Sequence, residues 1–220
     1  MIAVVVTARD EADRLPETLG ALRDGFPGAL LVVADDGSAD ATAAVARAGG
    51  ARVVATPTPL GKGGAATLAV ARLLAEAPEV VVLADAELGA SARRLPALVE
   101  AVRSGQGDLA VAAFRTRMGG GLGLARGFAA CAIRSLTGLA LQAPISGQRA
   151  VRGDAVGRLL PFAEGFGMEL GMTVDAVRAG LTVAEVPLEL AHRATGRTPG
   201  GFAHRGRQLT DMAHAYLDRR

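Results

Sequence analysis

Apolar residues along the chain come in short unbroken runs, at residues 2–6, 30–34, 53–55 and 80–84, each ending in polar loop residues. Runs of this kind predict strands over residues 2–7, 30–34, 52–55 and 80–84, buried on both faces. Between them the pattern predicts helices over residues 13–24, 40–48 and 64–77, the first opening with Asp13 as cap and Pro16 in its first turn. Strands alternating with helices of this length predict right-handed βαβ units and a parallel sheet. The second half is less regular. Helices are expected over residues 95–104, 122–141, 169–179 and 207–217, and strands over 108–113, 147–151 and 183–187. The last strand should lie at an edge, because Pro187 cannot donate to a ladder. The fold class expected is one α/β domain, a mostly parallel central sheet flanked by helices. Residues 1–113 form a nucleotide-binding type of half, and residues 114–220 a second half with a basic tail.

Composition narrows the classes. At 220 residues, 50% of them hydrophobic, the chain can build one sizeable core. No apolar stretch of membrane-spanning length lacks a charge, and no basic leader precedes the first strand, so neither a span nor a signal peptide is expected. A single cysteine, Cys131, excludes an internal disulfide and fits a reducing compartment. A net charge of +2 does not point to nucleic acid. Residues 122–141 are mildly amphipathic, interrupted by Arg126 and Arg134, and read either as a core helix, the default, or as one lying at a membrane surface.

Lys62 is the only lysine among 24 basic residues. A compact ammonium there, within Gly61-Lys62-Gly63-Gly64, reads as a chemical requirement where arginine would not serve. The glycines let backbone approach a phosphate, although the spacing is not that of a Walker loop. Asp85 and Glu87 follow the run at 80–84, and residues i and i+2 on extended chain point the same way. At the carboxyl end of a strand, where open α/β sheets bind ligands, two such carboxylates suit a Mg or Mn ion holding phosphate oxygens. The competing reading is that they merely polarise a loop or cap the next helix.

These clusters resemble family-2 glycosyltransferases of the GT-A fold. Val6-Thr7-Ala8-Arg9-Asp10-Glu11 stands where that family has Pro-Ala-x-Asn-Glu, with Thr7 for the proline and Asp10 for the asparagine. Asp35-Asp36-Gly37-Ser38 matches its strand-ending Asp-Asp-Gly-Ser, and Asp85-Ala86-Glu87 replaces its Asp-x-Asp. The resemblance continues through Ser146-Gly147-Gln148-Arg149-Ala150, Gly165-Phe166-Gly167-Met168-Glu169-Leu170 and Glu185-Val186-Pro187, nearly the whole chain. It implies that Thr7, Ala8, Glu11, Asp36, Lys62, Asp85 and Ala86 bind a nucleotide sugar, with Glu11 on the ribose and Asp36 on the base edge. Asp35 is expected to serve the turn. The metal would be held by Asp85, Glu87 and His192. Glu169 would act as base or acceptor-orienting acid beside Asp85 in the catalytic set. Arg149, Arg193 and Arg197 would bind the acceptor or a phosphate.

The function expected is a metal-dependent (Mg or Mn) hexosyltransferase that takes a sugar from a nucleoside diphosphate sugar, UDP favoured over GDP. The acceptor is expected to be phosphorylated, either a polyprenyl phosphate or a small phospho-acid, the resemblance reaching both polyprenyl-phosphate sugar synthases and glucosyl-phosphoglycerate synthases. The location expected is cytoplasmic, with peripheral contact at the inner membrane face open and no nucleic acid partner. Two alternatives stand beside it. A nucleotidyltransferase would carry its glycine-rich loop after the first strand, where Ala8-Arg9-Asp10-Glu11 stands instead. A non-catalytic nucleotide-sugar-binding protein is the other, raised by the departures at Thr7, Asp10 and Glu87.

Overall fold

The structure is a computed structural model that describes residues 1–114, 123–190 and 199–220, the side chains of Phe114 and residues 199–205 excepted. Strands β1 (Ile2–Ala8), β2 (Leu30–Asp35), β3 (Arg52–Ala55), β4 (Val80–Asp85), β5 (Leu109–Phe114) and β7 (Val183–Leu188) all run the same way, while β6 (Arg149–Arg152) runs against its neighbours β4 and β5. They form one sheet in the order β3-β2-β1-β4-β6-β5-β7. The edge position of β7 is the one its proline predicts.

The unbroken apolar runs follow from cover on both faces. Val4, Val6, Val33, Val82 and Ala84 join Leu15, Leu19 and Leu22 of α1 (Leu15–Gly25), Ala46 of α2 (Thr42–Ala48) and Leu98 and Val102 of α4 (Pro96–Arg103). Their alternating neighbours Ala3, Val5, Val32, Val81 and Leu83 pack on α3 (Gly61–Leu73) and α7 (Met168–Arg178). Each fully buried valine or leucine contributes roughly 1.5–3 kcal/mol, so neither face can be uncovered cheaply. A third cluster unites α5 (Gly123–Thr137), α7 and α8 (Pro199–Leu217) through Ala129, Ile133, Leu170, Val174, Met212 and Ala215. Phe128 and Tyr216 meet edge to face there, their centroids 6.3 Å apart. Helix α5 is thus a packed helix. Among the described residues no helix is long and apolar enough to cross a membrane.

Several element bounds differ from the sequence expectation by a few residues, and three differences matter most. Helix α3 begins at Gly61 rather than 64, so Lys62 stands in its first turn. A single turn, α6 (Gly153–Val156), follows β6 without a periodic signal. Helix α8 starts at Pro199, well before residue 207. Connectivity also sets the position of any ligand site. From β1 the chain moves outward to β2 and β3, then returns to β4 on the other side of β1. The carboxyl ends of β1 and β4 flank this switch point, the crevice where open α/β sheets receive ligands.

The glycines at 61–64 do not merely open space for a phosphate. Gly61 holds a positive φ of +76°, and a Cβ on Gly63 would lie 1.8 Å from the Ala163 carbonyl oxygen. They let the first turn of α3 sit directly against residues 163–165. Gly63→Ala should therefore cost about 3 kcal/mol, read as a lower urea midpoint. Gly20→Ala in α1 would meet nothing within 4 Å and should instead gain about 0.5–1 kcal/mol from helix propensity.

Candidate active site

Parallel pairing of β1 with β4 sets Thr7 opposite Asp85 at the switch point. Asp85 Oδ1 receives the Lys62 ammonium at 2.6 Å, and Oδ2 accepts the Gln148 amide at 2.6 Å. The Thr7 hydroxyl lies 3.4 Å from Oδ1. Lys62 reaches a second carboxylate, Glu169 Oε1, at 2.7 Å. Glu169 occupies the first turn of α7 and is only 5% exposed. One ammonium therefore joins the end of β4 to the start of α7. Burial opposes its charge, but Asp85 and Glu169 outweigh that and hold the Lys62 pKa well above the ordinary 10.5.

Antiparallel β6 explains how Gly147 and Gln148 reach this point. Arg149 pairs with Leu83, so the two residues before it run up beside the last residues of β4. A Cβ on Gly147 would stand 2.4 Å from Lys62 Nζ and 2.6 Å from Asp85 Oδ2. Only a bare backbone leaves room for the ion pair.

Arg149 itself corrects an expectation. Its side chain is 1% exposed, and its three nitrogens donate to the Ser146 carbonyl (2.8 Å), the Thr173 hydroxyl (2.9 Å) and the Pro144 carbonyl (3.2 Å). Burial pulls its pKa down to about 10, against the opposing pull of Glu169 and Glu185. It lies beneath the site as a brace, its guanidinium committed to these three protein acceptors. Glu185 works with it, accepting the backbone N–H groups of Gln142 and Ala143 at 2.9 and 2.6 Å.

On the other side of the crevice, the loops after β1 and β2 are clasped by reciprocal bonds. Asp10 N–H donates to Ser38 Oγ (3.0 Å), Ala39 N–H to Asp10 Oδ1 (2.8 Å), Glu11 N–H to Thr42 Oγ1 (2.8 Å) and Ala12 N–H to Asp40 Oδ2 (3.1 Å). Asp10 takes a left-handed φ of +53°, a conformation that Asn and Asp tolerate better than other side chains. Asp35 closes its own turn by accepting from Ser38 N–H and Oγ, as expected. Asp36 departs from its expected place on a base edge: its carboxylate accepts Leu60 N–H (2.6 Å) and Gly61 N–H (3.0 Å), capping α3 and so setting Lys62.

Asp85 and Glu87 do not converge. β4 ends at Asp85, Ala86 and Glu87 form a turn, and the two-residue alternation of a strand no longer applies. Glu87 instead pairs with Arg14 Nη1 at 3.0 Å, and Arg14 Nε also meets Glu11 at 3.2 Å. Ala8 and Ala86 are buried and contribute backbone: the Ala8 carbonyl accepts Asp36 N–H at 2.9 Å, and Ala86 N–H donates to the Thr7 carbonyl at 3.2 Å. His192, Arg193 and Arg197 lie outside the described residues. Among the described residues no group of three or more His, Cys, Asp and Glu could hold a metal ion. Asp85 still fits one. It already holds a cation at contact distance, and Mg or Mn sites typically take one or two carboxylates with substrate phosphates and water supplying the rest.

The family model described as Glycosyl transferase family 2 matches residues 3–137. The chain belongs to glycosyltransferase family 2. This transferase is 30% identical over 212 residues to the undecaprenyl-phosphate mannosyltransferase of Micrococcus luteus, covering 90% of this chain and 86% of that protein. It is 32% identical over 239 residues to the glucosyl-3-phosphoglycerate synthase of Mycolicibacterium paratuberculosis, covering 96% of this chain and 68% of that one. The Mycobacterium tuberculosis glucosyl-3-phosphoglycerate synthase, solved with Mn2+, UDP-glucose and phosphoglyceric acid, superposes with a TM-score of 0.80 at 28% identity, over 100% of this chain and 79% of that one. The same enzyme with Mg2+ and UDP also gives 0.80 at 28%. These matches agree with the GT-A fold expected from the sequence.

Two residues of the transferase's site carried no role in the sequence reading. Gln148 stood within the matching stretch Ser146-Gly147-Gln148-Arg149-Ala150, but its uncharged amide suggested no role. Arg14 had a signal, its three-residue spacing from Glu11. For Lys62 the sign of its linkage is clear: a raised folded pKa gives stability that is complete below the ordinary 10.5 and lost as pH rises past it. Lys62→Met should be less stable than wild type by about 3 kcal/mol at pH 7, and urea titrations near pH 11 should show that gap narrowing.

Proposed function

We propose that this transferase moves a sugar from a uridine diphosphate sugar to a phosphorylated acceptor, with the donor seated over the carboxyl ends of β1 and β4. The observation that carries the reading is the Asp85–Lys62–Glu169 ion cluster at the switch point. The choice of uridine is supported by the solved relatives with UDP and UDP-glucose. The acceptor class is supported by two relatives whose names both specify a phosphorylated acceptor, an undecaprenyl phosphate and a phosphoglycerate. The place of work proposed is cytoplasmic, with a lipid-borne acceptor reached from the inner membrane face. That part is supported by the mannosyltransferase relative.

The chain's own residues divide the task. Asp85 is the carboxylate that would hold a divalent ion, with Thr7 beside it and Gln148 orienting its second oxygen. When bound, such an ion supplies Lewis-acid stabilisation of the departing diphosphate. Lys62, in the first turn of α3, adds a positive charge where the helix N-terminus already favours anions. The bond from the anomeric carbon to the diphosphate breaks as the bond to the acceptor oxygen forms; a phosphate oxygen attacks as the anion it already is, and a hydroxyl gives its proton to Glu169. Glu169, across Lys62 from Asp85, accepts a hydrogen bond from a hydroxyl of acceptor or sugar and orients it for that step. Glu11 lines the nucleoside side of the crevice, and Asp36 sets the start of α3 beside it. The clasp between the two loops keeps that side in place before the donor arrives.

Thermal unfolding with UDP, GDP and Mn should show a metal-dependent rise with UDP exceeding that with GDP, absent in Asp85→Asn. Equal shifts with both nucleotides would remove the preference for uridine, and no shift with either would remove the donor site. With the donor fixed, Glu169→Gln should lower kcat roughly 100-fold, and near-normal turnover would exclude its role.

A further inference from the structure

The two oxygens of Asp85 are held by partners of unequal tenure. Oδ2 belongs to Gln148, which is 3% exposed and whose own Oε1 lies 3.4 Å from the Ser146 hydroxyl. That amide is fixed by its surroundings. Oδ1 faces Lys62, whose charge rides on a flexible four-carbon stem and whose side chain is 21% exposed. A divalent ion ligated by Asp85 would come to Oδ1, the oxygen that Lys62 covers. An ammonium and a dication on one oxygen would stand within about 4 Å of each other and repel.

The geometry points to Lys62 as a displaceable internal counter-ion, whose ammonium closes Asp85 Oδ1 to metal until a donor diphosphate draws it away. The inference rests on the reading that Asp85 is the metal-binding carboxylate. Lys62 can leave Asp85 without being stranded. Glu169 keeps a second hold on the ammonium at 2.7 Å, so neither the cation nor that buried carboxylate is left alone. The diphosphate brings negative charge to the first turn of α3, where Lys62 itself stands, and competes with Asp85 for the ammonium. Metal binding and release of Lys62 then favour each other, and by linkage donor and metal each raise the other's affinity. Without a donor, metal binds only the fraction of molecules in which Lys62 has moved aside, and its apparent affinity falls in proportion. Such a device spares the empty enzyme from holding a free ion in an open crevice. An arginine could not do this as readily, its planar fork being suited to keep a carboxylate bidentately.

The test exploits opposite signs. Free Mn is counted by EPR during titration of wild type, Lys62→Met and Arg9→Gln, first with Mn alone and then with UDP present. The expected result is that Lys62→Met binds Mn alone about tenfold more tightly than wild type yet binds UDP more weakly. Arg9→Gln, which removes an exposed cation of the neighbouring loop, should change Mn affinity by less than about twofold. Unchanged or weaker Mn binding by Lys62→Met, with wild type binding Mn and UDP together, overturns the counter-ion role and leaves the metal site standing. Equal tightening by Arg9→Gln also overturns it, because the effect would then be general charge. Wild type that binds no Mn even with UDP overturns the metal site and this inference with it. A second readout needs no variant. Because Lys62 is the only lysine, 15Nζ labelling gives a single side-chain resonance, which should shift when Mg and UDP are added together. A resonance unmoved at saturation overturns the proposal.

Discussion

A single ammonium between two carboxylates is the interaction on which the site depends. Lys62 stands within 2.7 Å of both Asp85 and Glu169, and these residues come from the first turn of α3, the end of β4 and the first turn of α7. Each address has its own structural cause. Helix α3 starts where it does because Asp36 caps it and because Gly61 and Gly63 let it touch residues 163–165. β4 delivers Asp85 to the switch point because both faces of the sheet are covered. Helix α7 holds Glu169 in the interior because it is packed on the sheet by Met168 and Met172 and on α5 and α8 by Leu170 and Val174. The cluster carries two negative charges and one positive, so a further cation is electrostatically welcome.

The brace beneath the cluster is equally polar and much less visible. Arg149 is a buried guanidinium held by two carbonyls and a hydroxyl, and the Thr173 hydroxyl that it meets also donates to the Glu169 carbonyl at 2.9 Å. Its hydrogen bonds therefore run from the loop bearing Gly147 to the helix turn bearing Glu169. Burying such a charge is costly unless every donor finds an acceptor. The loop before β6 and the first turn of α7 are held in register by that requirement.

The parallel sheet was legible in the chain because double-sided burial writes itself as unbroken runs such as residues 80–84. Asp85 was legible for the same reason, as the first polar residue after such a run. Glu87 misled because alternation holds only while the strand lasts, and β4 ends two residues earlier. Asp36 misled in another way. Asp-Gly-Ser reads equally well as ligand-binding or as self-binding, and the contact with Leu60 decides for Asp36, while the glycines at 61–64 also serve a close approach to Ala163 that the sequence does not show. Arg149 and Gln148 could not be placed from the sequence, since Gln148 answers Asp85 on β4 and Arg149 answers two main-chain carbonyls of its own loop and Thr173 on α7.

The reversed strand β6 also constrains how this protein can change over evolutionary time. Length changes in most surface connections would leave the sheet and the crevice intact. Within residues 146–148, however, adding or deleting one residue would bring Ser146 or Gln148 to the position beside Asp85 that Gly147 now keeps bare, and would carry the amide away from Oδ2. The tract can therefore drift in composition only where it meets neither ion. Insertions should accumulate before Gln142, upstream of the point where Glu185 pins the backbone.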